Sequence, residues 1–304
     1  MSVPSLFRSS LRRSLARPLV SASASTSALP SASPAAAPAA TRQLHSVPPM
    51  PELLDNGCAP FLSQQTVHQI ANEWQAGLLD LLNQEVRDTE YATSSIVETV
   101  IGLSQSREKI LAFNYASQAL NNSFFLSSIA PQGSLRNTTP LVRTSDAISK
   151  SFNSYPEMCL AFSSAAFGMS GSGWVWLVTD QSGNLGVVPT YGAGTVVVQN
   201  RMQQGKHFAL PSINDGQGGP EGTDPNAMPA AARPGRPSSA RLFATEVGKE
   251  LYPLLNISVH EHAWLNDYGI MGKEEYLTRF WNCVNWDRVE ERFKEYCPSA
   301  QPLH

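Results

Sequence analysis

From Ser63 to Asn83, apolar side chains recur at Val67, Ile70, Trp74, Leu78, Leu81 and Leu82. Steps of three and four residues predict an amphipathic helix. A second run, Glu108 to Ile129, sets Leu111, Tyr115, Gln118 and Asn122 on one stripe and predicts a second helix. Asp146 to Phe167, with Ile148, Phe152, Leu160 and Phe162, reads as a third. The pattern then shortens to β-branched and aromatic runs, Gly173 to Thr179 and Leu185 to Thr190, about a loop of Asp180, Gln181, Ser182, Gly183 and Asn184. That is a hairpin signal. A third strand is expected over Leu251 to Ile257. Helices are expected over Glu261 to Tyr268, Lys273 to Trp281 and Trp286 to Tyr296. Helices on a small antiparallel sheet make an α+β fold.

Two stretches break this patterning. Residues 1–44 contain Arg8, Arg12, Arg13, Arg17 and Arg42, no lysine, and no acidic residue; the first acid is Glu52. An Arg-rich start followed by a Ser-rich, acid-poor tract has the composition of a mitochondrial transit peptide, with a processing site at Arg42-Gln43-Leu44. Its removal would take five positive charges and move the formal charge from −3 to −8. A chain of that charge with dispersed Lys and Arg is not built around phosphate binding, so any nucleic-acid contact is expected to be limited. Residues 201–244 include GQGGPEGTDPNAMPAAARPGRPSSA and carry few periodic apolar positions. Such a segment buries too little surface to offset its ordering entropy, so a disordered surface insertion is expected there. The remaining chain divides into an N-terminal part, 45–130, and a C-terminal part, 131–304. Cys58, Cys159, Cys283 and Cys297 have neither C-x-x-C nor finger spacing and read as reduced, partly buried thiols. No run has the length of a membrane span, and no membrane partner is expected.

Three strings carry a resemblance: FNYASQALNNSFFLSSI from Phe113, SGSGWVWLV from Ser170, and PLLNISVHEHAWLNDYG … YLTRFWNCVNWDRVEERF from Pro253. They resemble, in the same order, FNxAxQxxNHTFYW, GSGWxWLV, PLLxxDVWEHAYYxDY and YLxxxWxxVNWxxV of the iron/manganese superoxide dismutases. The resemblance implies an N-terminal helical hairpin followed by a small three-stranded antiparallel sheet with surrounding helices. It also assigns four metal-ligand positions. The frame places Asn122 where the family has a ligand His, Ser258 where it has the ligand Asp, Ile70 at the first ligand, and His262 at the fourth. Only His262 keeps a ligating side chain, so no metal cofactor is expected; iron or manganese would return only with a rebuilt site. His68 is two residues from Ile70, about 200° around a helix, and faces the wrong way to replace it. His260 stands at the family's Trp and is read as a polar interface contact.

By the same resemblance, Gln118 matches the glutamine of the iron-type enzymes and Leu78 the gateway tyrosine. Ser170 falls where the manganese type presents its glutamine. Gln118 is expected to bond Asn122 or His262 inside the former cavity. The Trp set Trp174, Trp176, Trp281 and Trp286 is read as core packing and not as a base-stacking surface. In the family, the Glu of W-E-H-A pairs across the dimer interface with the ligand His of the other chain, and Glu261 and His262 are both present here. Trp74 and Leu265 replace a polar His–Tyr interface pair with apolar groups, which implies altered partner choice. A heterodimer with a related paralogue is the expectation.

With the Arg-rich start, these features resemble the fungal proteins of the mitochondrial small ribosomal subunit that descend from iron/manganese superoxide dismutase. The resemblance implies a non-catalytic protein of the mitochondrial matrix, with small-subunit ribosomal proteins as neighbours. The alternative class is a mitochondrial dismutase with a modified metal site. Ligand count separates the two, since redox chemistry first needs the metal held.

Overall fold

A computed structural model of the chain describes residues 45–134, 137–201 and 250–298. The expected leader, 1–44, and the expected insertion apart from Arg201 lie outside the described residues. The elements run α1 (Pro51–Asn56), α2 (Gln64–His68), a π-helical turn (Gln69–Trp74), α3 (Gln75–Val86), α4 (Ile96–Leu103), α5 (Ile110–Ser128), α6 (Val142–Phe152) and α7 (Tyr155–Phe167). Then come β1 (Gly173–Thr179), β2 (Leu185–Tyr191), β3 (Tyr252–Ser258), α8 (Leu265–Tyr268), α9 (Lys273–Phe280) and α10 (Trp286–Tyr296).

The sheet order is β2-β1-β3, and both pairings are antiparallel. As the middle strand, β1 is covered on both faces and all seven of its residues are buried, including Trp174 and Trp176. This explains why it reads as a continuous apolar run and not as an alternating one. Gly173 opens the strand where a Cβ would lie 2.1 Å from the Thr190 carbonyl oxygen, so only glycine fits.

Two apolar clusters result. The larger lies around the sheet and joins Phe61, Phe125, Phe162, Trp174, Tyr276, Phe280 and Trp286. The smaller fills the helical hairpin between α3, α4 and α5, with Leu78, Leu82, Val100, Leu103, Phe113 and Ala116. Glu290 on α10 accepts from the Thr144 amide at 2.9 Å and hydroxyl at 2.6 Å, tying α6 to the last helix. The Arg292 guanidinium lies 4.0 Å from the Phe124 ring centre and donates to Ser127, Ser128 and the Leu254 carbonyl, so α10 also holds α5 and β3.

Several boundaries differ from the sequence reading. The single helix expected over Ser63–Asn83 widens into the π turn at Gln69–Trp74 and runs on to Val86, leaving Leu81 exposed. The helix expected over Asp146–Phe167 is two: Asn153 takes a φ of 70°, Ser154 caps α7 by accepting from the Glu157 amide, and Pro156 sits in its first turn. Met158, Phe162 and Ala166 form the buried stripe of α7, at four-residue steps. Leu160 is therefore off that face and 63% exposed. Leu111 on α5 is likewise exposed, because Ala112, Phe113 and Ala116 take the core face. The helix expected over Glu261–Tyr268 is a 3-10 turn, Glu261–Ala263, followed by α8.

Phe280 is fully buried, with ring centres of Phe61, Phe125, Phe162 and Trp281 at 5.4, 6.4, 6.2 and 5.2 Å. Phe280→Ala should lower the unfolding free energy in urea titration by about 3 to 5 kcal/mol. A loss under about 1 kcal/mol would mean that this cluster does not anchor the fold.

Candidate functional site

The seam between the two apolar clusters is polar. Asn122, on α5 and 2% exposed, donates from Nδ2 to the Ile70 carbonyl oxygen at 2.8 Å and to Gln75 Oε1 at 2.8 Å. Gln75, the first residue of α3 and also buried, donates from Nε2 to the Ala119 carbonyl oxygen at 3.1 Å and to Ser123 Oγ at 2.9 Å. The two amides thus bond each other and three further groups, and tie together the π turn, α3 and α5. Ile70 lies within the widened turn, where a side-chain donor meets a helix carbonyl.

The positions identified from the sequence gather only partly. Ile70 is buried and belongs to the larger cluster, whereas Leu78 packs into the hairpin core. Ser258 ends β3; its Oγ accepts from the His260 amide at 3.3 Å, and its carbonyl accepts from the Tyr276 hydroxyl at 3.0 Å. His68 is open to solvent, 3.7 Å from Glu73, and does not replace Ile70. Ser170 is exposed in the loop before β1. The turn after β2 packs on α5: Ser117 donates to the Ala193 carbonyl at 2.6 Å and Asn121 to the Gly194 carbonyl at 2.9 Å. Gln118 forms no bond to Asn122 or His262, which corrects the expectation for it; its buried Oε1 has no hydrogen-bond partner among the described residues. Gln75 takes the role foreseen for Gln118. A signal for it was present, since Gln75 lies four residues after Ala71 and three, four and seven before Leu78, Leu79 and Leu82, all buried.

Outside the amide pair, Ile70, Glu73, Trp74, His262 and Leu265 line an open cleft of about 450 Å³. The His262 ring lies against Trp74, with ring centres 4.6 Å apart, and next to His260 at 5.3 Å. Protein atoms crowd one side of His262 and lower its pKa by desolvation, partly offset by Glu261, although the residue is open to solvent on the other side. His260 is buried, edge-on to Trp174, and its pKa is pushed down to about 4 by burial and then by His262. Glu261 is exposed; its Oε2 accepts from Ser172 Oγ at 2.5 Å, the main reason its pKa is lowered.

This donor set does not fit iron or manganese. Ile70 has no ligating atom, the Asn122 nitrogen is spent donating two hydrogen bonds, Ser258 Oγ is engaged with a backbone amide, and His262 stands alone. An open catalytic site needs three protein ligands. Among the described residues, no group of three or more His, Cys, Asp or Glu is arranged to hold a metal ion. What the arrangement does offer is a satisfied neutral amide network beneath an aromatic cleft.

Comparison with known proteins places this geometry. Residues 140–206 and 239–292 match the family of iron/manganese superoxide dismutases, C-terminal domain. Small ribosomal subunit protein mS43 of Schizosaccharomyces pombe is 24% identical over 250 residues, covering 80% of this chain and 83% of that protein. The iron superoxide dismutase of Legionella pneumophila is 27% identical, over 82% of this chain and 98% of the enzyme. That of Escherichia coli K12 is 28% identical, over 80% and 95%. The chain has the iron/manganese superoxide dismutase fold, three-stranded antiparallel sheet included, and is similar in sequence both to a ribosomal protein and to the enzymes.

Asn122→Ala should strip the donor from Gln75 Oε1 and the Ile70 carbonyl and cost about 1 to 3 kcal/mol of stability. Gln75→Ala should cost a similar amount, and the double variant clearly less than the sum, because the two act as one network. Chemical denaturation of the four proteins measures the coupling. Additivity within about 0.5 kcal/mol would dissolve the network as a unit.

Proposed function

We propose that this chain is a structural component of the small subunit of the mitochondrial ribosome, a dismutase-fold protein without catalysis. The observation that carries the non-catalytic part is the closed Asn122–Gln75–Ile70 network at the seam where the resembled enzymes hold metal. The ribosomal part is supported by the similarity to small ribosomal subunit protein mS43. The Arg-rich, acid-free start is in keeping with import into the mitochondrial matrix. The charge of −8 expected after removal of that start favours contacts with neighbouring proteins over contacts with RNA phosphates.

In this reading the former dimer interface is the retained working surface, and its partner is a paralogous dismutase-fold protein. The cleft presents an aromatic face, Trp74 against His262, with Leu265 at its edge. Glu261 uses one carboxylate oxygen on Ser172, which fixes its direction and leaves the other to accept from the partner's imidazole. Apolar replacements at Trp74 and Leu265 change the complementary surface that fits, and so favour a different partner over a second identical chain.

Sucrose-gradient fractionation of mitochondrial lysate should bring the protein down with the small subunit, and metal analysis of the purified protein should find iron and manganese far below one per chain. Migration only at dimer size, or stoichiometric metal with dismutase activity, would sink the reading. For the interface, Glu261→Ala should weaken pairing with the paralogue by about 1 to 3 kcal/mol, the range for stranding a buried hydrogen-bonding group. Ser172→Ala, which frees the carboxylate without deleting it, should weaken pairing less. Equal retention of the paralogue by wild type and Glu261→Ala in copurification would remove Glu261 from the interface.

A further inference from the structure

Two of the cysteines meet, although 225 positions separate them in the chain. Cys58 lies in the loop between α1 and α2, where its amide and carbonyl pair with those of Leu62. Cys283 lies in the turn between α9 and α10. They are 0% and 2% exposed. Cys283 Sγ donates to the Cys58 carbonyl oxygen at 3.3 Å, and Cys58 Sγ to the Ala130 carbonyl oxygen at 3.0 Å. The Ala130 amide in turn donates to the Cys283 carbonyl oxygen at 2.9 Å. Three distant parts of the chain are thereby closed into a ring of bonds around two sulfur atoms, which lie close enough to influence each other's ionisation. The other two cysteines sit elsewhere: Cys297 donates to the Asp180 carbonyl at 3.1 Å, and Cys159 lies beside the Tyr155 hydroxyl.

We propose that Cys58 and Cys283 form a redox-sensitive dithiol that hydrogen peroxide closes to an intrachain disulfide, clasping the entry to the first long helix onto the start of the last. The two thiols are not equivalent. Cys283 is made more acidic by the neighbouring Cys58 thiol and by the Phe61 backbone, while the neighbouring Cys283 thiol and burial push Cys58 strongly up. Cys283 is accordingly the nucleophile, since the thiolate is the reactive form, and Cys58 resolves. In the first step the Cys283 sulfur attacks one peroxide oxygen and the O–O bond breaks. The departing hydroxide takes the Cys283 proton as water, leaving a sulfenic acid. In the second, the Cys58 sulfur attacks the Cys283 sulfur and the S–O bond breaks. The hydroxide released takes the Cys58 proton as a second water. Two thiols lose two electrons in total, and one peroxide gains them.

A disulfide holds its sulfurs about 2.05 Å apart. Cys58 and Cys283 both lie in turns outside the helices, so that approach draws on adjustment of the turns and side chains. Burial makes access the slow step, so oxidation should proceed through local opening of the loop that carries Cys58. Once formed, the bond closes nearly the whole described fold into one loop, the condition under which a cross-link constrains the unfolded chain most.

The test uses the intact protein, fully reduced and then treated with hydrogen peroxide. Free thiols are blocked under denaturing conditions, and the non-reduced digest is mapped by mass spectrometry. A peptide pair joining Cys58 to Cys283, two hydrogens lighter than the separate peptides and split by dithiothreitol, is the expected product. Oxidised wild type should also melt at a higher temperature than the reduced form, a difference that Cys283→Ser should abolish and Cys159→Ser should keep. The proposal is overturned if Cys58 and Cys283 are still alkylated after peroxide, if the link joins Cys159 or Cys297, or if Cys283 ends only as sulfinic acid. The mapping needs only the wild-type chain, so a variant that fails to fold leaves the outcome intact.

Discussion

The two long helical arms are held to each other by a pair of buried amide side chains. Asn122 and Gln75 meet where the two apolar clusters abut, and between them they bond the π turn, α3 and α5. In a low-dielectric seam such a network is worth most when every member is satisfied and becomes a liability when one is missing. That asymmetry constrains the surroundings. The π turn presents the Ile70 carbonyl, Ser123 faces Gln75, and the turn after β2 closes over the next positions of α5 through Ser117 and Asn121. Asn256 of β3 donates to the Asn121 carbonyl at 3.1 Å and extends the same polar line into the sheet.

The dismutase frame was legible because its motifs fix both spacing and residue type, and because β1 has no polar position to confuse its period. The sheet, its hairpin and the long α5 follow from that. Helix breaks were less visible. Asn153 and Ser154 end one helix and cap the next inside a run whose apolar spacing reads through, and periodicity alone does not register a cap. The π turn is invisible to a 3.6-residue template for the same reason. At the site, the absence of an imidazole or carboxylate at Ile70, Asn122 and Ser258 could be read directly, whereas the bonds these residues make could not. Gln118 matched a family motif and drew the assignment; Gln75, buried and bonded, carried only the weaker signal of a polar residue on an apolar stripe.

The replacement chemistry is neutral. A metal centre of the resembled enzymes would tie two positions on the helical arms to one at the end of β3 and one just beyond it through imidazole and carboxylate ligands, and its stability would depend on metal supply and proton release. Here the arms are joined to each other by amides, and Trp74 reaches the region beyond β3 by lying against His262. None of these requires a cofactor.

Persistence of Glu261 and His262 then calls for a reason other than metal binding. His262 alone cannot hold a catalytic metal, and burial on its protein side disfavours the charged ring. A neutral imidazole can donate one N–H to a carboxylate, and a carboxylate already oriented by Ser172 loses little freedom in accepting it. In the proposed pair, the cross-chain bond is thus prepared on both sides before the chains meet, and Trp74, 4.6 Å away between ring centres, limits the His262 ring's orientation. Under that proposal the surface would serve association through orientation and not charge, since orientation is what Ser172 and Trp74 supply.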